Sequence, residues 1–136
     1  MRIICLDVGT ARIGVAVSDP DETTALPLLV IERCDPASDI RSIVDIIEEY
    51  GAEKVIFGMP LSLDGDKGPQ AVSTSDFAKE LRQKTKAAVI PQDERYSTRE
   101  AERVLIAQGV KRDQRRAVVD KVAAAIILQT YLDGQK

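Results

Sequence analysis

A chain of 136 residues, 44% of them hydrophobic, can enclose one core but not two of ordinary size, so a single domain over 1–136 is expected. It contains no histidine, which excludes Ser-His and Cys-His catalysis and histidine-bound zinc; any hydrolysis must use carboxylates, lysines or an oxygen-bound metal. The net charge of −3 and the 4% aromatic share, without tryptophan, argue against a uniformly basic or base-stacking nucleic-acid binder.

The first predicted strand, about 2–7, is a continuous apolar run from Ile3 to Leu6, as in a central strand buried on both faces, and it ends in Asp7. That acid interrupts the pattern a signal peptide would need. No run in the chain approaches the roughly 20 apolar residues of a membrane span, and a cytoplasmic protein with no membrane partner is expected. Gly9 and Gly14 bracket the entry to a second strand, about 12–18, in which Ile13, Val15 and Val17 alternate. A third strand follows at about 25–32. Cys5 is expected as a buried core thiol and Cys34 as a strand-end residue; they lack metal-ligand spacing and fit a reducing compartment.

The spacing of Ile40, Ile43, Val44 and Ile47 predicts a helix over 39–50, stopped by Gly51. A short strand over 54–57 ends in Gly58-Met59-Pro60. The polar loop 62–69, with Gly65 and Gly68, is either a substrate flap or a plain connection. A helix runs through Phe77, Ala78 and Leu81. A buried strand over 87–90 leads into Pro91-Gln92-Asp93-Glu94-Arg95, and two helices, about 97–108 and 114–133, flank Gly109. The order βββαβαβαα predicts an α/β fold. Its mixed five-stranded sheet has the first three strands antiparallel and strands 1, 4 and 5 parallel. Parallel strands end on one edge, so the turns after Asp7, at Gly58-Met59-Pro60 and at Asp93-Glu94-Arg95 face one crevice, where α/β folds place their chemistry.

On the last helix, Asp120 shares a face with Ala123, Ala124, Ile127, Leu128 and Tyr131. A carboxylate on a face that must be buried needs an arginine or lysine, an edge position near the helix start, or a metal ion. Residues 95 to 121 carry eight basic side chains against four acidic ones, a net of +4 that leaves −7 for the rest. The alternatives there are a basic binding face and a solvated helical surface.

Four motifs stand in sequence: Leu6-Asp7-Val8-Gly9-Thr10 with Arg12-Ile13-Gly14-Val15; Gly58-Met59-Pro60 with Gly68-Pro69-Gln70; Asp93-Glu94-Arg95-Tyr96-Ser97-Thr98; and Asp120-Lys121-Val122-Ala123-Ala124. Together, over essentially the whole chain, they resemble the YqgF/RuvX family of the RNase H-like superfamily of nucleases. Tyr96 departs from that family's more usual aliphatic residue. The resemblance implies an RNase H-like fold, with Asp7, Glu94 and Asp120 as catalytic acids and ligands of Mg2+ or Mn2+; Asp93 is the neighbour that strand alternation sets against Glu94. It also implies a nucleic-acid substrate: structured RNA at the 5′ end of pre-16S rRNA, or else a DNA Holliday junction. Gly9, Arg12, Arg95, Thr98 and Arg99 are the candidate substrate contacts, with Ser97 and Thr98 equally placed to cap the following helix. Few aromatics and no heptad helix suggest a monomer or weak dimer. Two other readings remain: a nucleotide-binding protein, since Asp-x-Gly-Thr also resembles the phosphate loop of the actin and sugar-kinase group, and a non-catalytic rRNA binder.

Overall fold

The computed structural model describes residues 1–60, 68–94 and 97–135; the side chains of Glu94, Ser97 and Thr98 lie outside that description. In chain order the elements are β1 (Ile3–Val8), β2 (Arg12–Ser18), β3 (Ala25–Glu32), α1 (Pro36–Tyr50), β4 (Lys54–Pro60), α2 (Pro69–Lys84), β5 (Ala88–Glu94), α3 (Ser97–Ala107) and α4 (Arg112–Gly134). They form one five-stranded sheet, ordered β3-β2-β1-β4-β5, in the predicted βββαβαβαα sequence. Strands β1, β2 and β3 pair antiparallel, whereas β4 pairs parallel with both β1 and β5.

Several elements are longer than their apolar patterns predict. Helix α1 begins at Pro36 because Asp35 caps it: its carboxylate accepts from the Ser38 amide at 2.9 Å, and proline suits the first helical position. Strand β4 continues through Gly58-Met59-Pro60, and β5 through Pro91 to Glu94. Proline is tolerated there because β5 is an edge strand, where a missing N–H costs no ladder bond; Pro27 occupies the opposite edge in β3. Cys34, expected at a strand end, is exposed in the connection after β3, while Cys5 is buried as expected.

The alternation of β1 sorts its residues between two cores. Ile4, Leu6 and Val8 join Ile13, Val15, Val55 and Phe57 against α1 and α2. Ile3 and Cys5 join Ala16 and Ile56 against Ala124, Ile127 and Leu128 of α4. Burying Ile127 and Leu128 contributes about 1.5–3 kcal/mol each. Helix α3 packs on α4, with Ala101 and Leu105 against Val119 and Ala123.

Candidate active site

Asp7 has the parity of Ile3 and Cys5, so it belongs to the face of β1 that α4 covers. It is half-buried, and its partner across the antiparallel ladder is Gly14. A Cβ on Gly14 would overlap the backbone carbonyl of Asp120 and stand 2.8 Å from the Lys121 amide nitrogen. Glycine is therefore required for α4 to lie directly on β2 at this point. Gly14 is thus common to both segments: Asp7 is its partner in the sheet, and the Asp120 backbone lies over it on the helix.

The parallel register sets β5. Ile56 pairs with Ile90, Gly58 with Gln92 and Pro60 with Glu94, which gives position 94 the parity of the α4 face. Asp93 pairs with Met59, a residue of the opposite core. Of the two neighbouring acids, only position 94 shares a face with Asp7.

Asp120 is 18% exposed and accepts a charge-assisted hydrogen bond from Arg12 Nε at 2.7 Å. Of the partners open to a carboxylate on that face, the one seen here is an arginine. The hydrogen bond, and then the charge, of Asp120 raise the Arg12 pKa further above its ordinary value. Arg12 opens β2 and lines a groove of about 600 Å³ between β3 and α4, which Arg116, Lys121, Glu32 and Asp113 also line. The burial of Cys5, and secondarily the charge of Asp7, push that thiol's pKa up and leave it a protonated core residue.

The turn that carries Asp7 is braced from behind. Gly9 N–H donates to the Arg12 carbonyl at 2.9 Å, and a Cβ on Gly9 would stand 2.8 Å from that oxygen. The glycine is thus required by the turn itself, and its N–H is already engaged. Arg33 donates to the Gly9 carbonyl at 2.8 Å, pairs with buried Asp39 at 3.2 Å, and stacks 5.2 Å from the Phe77 ring centroid. Gln70, at the start of α2, donates to the Val8 carbonyl at 2.9 Å. Sequence reasoning assigned no role to Gly14, Arg33 or Gln70. A lone glycine amid the alternating residues of β2 was the available signal for Gly14; the roles of Arg33 and Gln70 depend on long-range contacts that leave no local pattern.

Arg99 is exposed on α3. Arg95, Tyr96 and loop residues 62–67 lie outside the described residues, as does the Thr98 side chain. Among the described side chains no three potential metal ligands stand together. The acids that the fold assigns to this face, Asp7 and Asp120, offer hard oxygens of the kind that suit Mg2+ or Mn2+, and position 94 would add a third. No helix among the described residues is long and apolar enough to cross a membrane.

A mixed sheet with β1 at its centre, an acid at the end of β1 and a covering helix that carries another define the RNase H-like class. The fold resembles the RuvC resolvase of Thermus thermophilus in complex with a Holliday junction substrate, at a TM-score of 0.61 and 13% identity over 99% of this chain and 95% of that one. It also resembles the fowlpox virus Holliday junction resolvase, at 0.60 and 16% over 100% of both chains. Residues 1–134 match the family model described as "RuvX: Holliday junction resolvase". A relative from Halothermothrix orenii named "Putative pre-16S rRNA nuclease" is 49% identical over 135 residues, which cover 99% of this chain and 96% of the relative. The chain belongs to the RuvX family of RNase H-like nucleases, hydrolases that act on ester bonds.

Proposed function

We propose that this protein is a cytoplasmic, metal-dependent endonuclease that cleaves structured ribosomal RNA, in the maturation of the pre-16S 5′ end. The observation that carries the reading is that Asp7 pairs with Gly14 and the Asp120 backbone packs on that same glycine, on the face to which the β5 register also assigns position 94. Asp7, Glu94 and Asp120 would hold Mg2+ or Mn2+, which when bound activates water and neutralises charge on the phosphate and the leaving oxygen. The chain's own part is positional. Gln70 and Arg33 hold the carbonyls of Val8 and Gly9, the two residues that follow Asp7, and so brace the turn that carries it. Gly14 sets the height of Asp120 above the sheet. Arg12 and Arg99, with Arg95 and Thr98 as the resemblance implies, would hold phosphates, and the N–H of Gly9 is already engaged within its turn.

The printed name of the relatives supports RNA, and the description of the family model supports a DNA junction. RNA is favoured here on a physical ground. Resolving a junction takes two symmetric cuts and hence two sites in a stable C2 dimer. Helix α4 spends its apolar side chains on its own core, with Ala123, Ala124, Ile127, Leu128 and Leu132 all buried, which favours a monomer or weak dimer.

Purified protein is tested on precursor rRNA and on four-way junction DNA, with Mg2+, with Mn2+ and with chelator. Metal-dependent cleavage of the precursor, abolished in Asp7→Asn with the melting temperature unchanged or raised, is the expected result. Full activity of Asp7→Asn overturns the site. Symmetric junction cutting by a stable dimer, with the precursor left intact, turns the reading to the resolvase.

A further inference from the structure

The ion pair between Arg12 and Asp120 has a consequence for the order in which the site fills. A carboxylate that accepts from a guanidinium at 2.7 Å is neutralised by it, and a cation that takes the same oxygen, Oδ2, competes with the arginine for it. Arg12 has somewhere to go. Its side chain is 40% exposed and already lines the groove between β3 and α4, with Arg116 and Lys121 on the helix wall and Glu32 beside it on β3. It stands at the first residue of β2, directly after the turn.

We propose that Arg12 is an exchangeable counter-ion: it neutralises Asp120 in the metal-free protein and passes to a phosphate of the nucleic-acid strand in the β3–α4 groove when a divalent cation takes Asp120. This rests on Asp120 being a metal ligand. The exchange couples two binding events. With cation bound, Arg12 is released from its carboxylate and the groove gains a free positive charge for phosphate. By linkage, bound nucleic acid favours the cation to the same degree, because it holds Arg12 away from Asp120.

The test uses Mn2+ titration by calorimetry, with no turnover, on the wild type and on Arg12→Gln, Arg12→Lys and Asp120→Asn. Circular dichroism checks that each is folded; the exposure of Arg12 makes loss of fold unexpected. Arg12→Gln removes a competing cation, so it binds Mn2+ about 3- to 10-fold more tightly than wild type, with Arg12→Lys between the two. Fluorescence anisotropy of a short labelled single-stranded RNA, checked for integrity on a gel, supplies the second readout. Mn2+ tightens RNA binding by the wild type more than by Arg12→Gln. Equal or weaker Mn2+ binding by Arg12→Gln, while Asp120→Asn has lost it, overturns the exchange and leaves the metal site standing. Undiminished Mn2+ binding by Asp120→Asn removes the metal-site reading and the exchange with it.

Discussion

Replacing Gly14 with alanine adds one methyl group at the point where β2 and α4 touch. The added carbon overlaps the Asp120 carbonyl and lies 2.8 Å from the Lys121 nitrogen, all backbone atoms. No rotamer change relieves the overlap, so the helix must lift from the sheet by roughly 1 Å, enough to forfeit a quarter to a half of the dispersion energy of the contacts it opens. Those contacts include Ala124, Ile127 and Leu128 against Ile3, Cys5 and Ala16. Overpacking of a well-filled core costs typically 1–3 kcal/mol, and a clash held between helix and sheet backbones belongs at the upper end, about 3 kcal/mol. For a domain of this size that lowers the melting temperature by about 10 °C. Activity falls further than stability. Lifting α4 moves Asp120 away from Asp7, and a displacement of this size costs on the order of 100-fold in rate even in the folded fraction. Thermal unfolding by circular dichroism and cleavage well below the transition separate the two effects. A Gly14→Ala protein that melts within about 3 °C of wild type and cleaves at full rate refutes the packing argument.

Thr74 is buried in α2 with its hydroxyl unpaired among the described residues, so the isosteric Thr74→Val removes a desolvated polar group; a gain of about 1 kcal/mol is expected in urea unfolding, and a loss would show that the hydroxyl has a partner. Backbone amides hold the carboxyls of Asp19 and Asp35 below their ordinary value of 3.8, from Thr24 in the first and Ser38 in the second. The unfolded chain therefore binds the more protons as pH falls, so the stability these groups contribute is complete above about pH 5 and is lost as pH drops through their folded values. Asp35→Asn should then show a shallower acid limb in urea melts taken across that range, and an unchanged limb would discount the cap. In the basic stretch, Arg115 is engaged with the Val110 carbonyl, whereas Arg112 and Arg116 are exposed. Reversing those two to glutamate should lower the slope of log K against log salt for RNA binding by roughly 0.7–0.9 per lost phosphate contact, and an unaltered slope would mark the face as plain solvated surface.

The element order and the sheet's mixed direction were legible in the sequence because each rests on local chemistry. Apolar runs at period 2 or 3.6, broken by glycines and prolines, are carried by the residues themselves, and chain direction then follows from which connections are long enough to cross over. Asp7 and Asp120 were legible for a related reason, since a carboxylate that ends or interrupts an apolar pattern stands out without any partner in view. The partners were not legible. That Arg12 is the residue facing Asp120, 108 positions away, depends on how α4 settles on β2, and that in turn on the absence of a side chain at Gly14. The sequence pointed to Glu94 over Asp93 through the family resemblance alone; the parity of the two positions was not legible in the apolar pattern. The apolar pattern of β5 ends at Ile90, and only pairing with β4 carries the strand through Pro91 and sets the parity of the two acids. Strand register belongs to the neighbouring strand as much as to the chain that adopts it, so the tertiary structure alone decided which acids share a face.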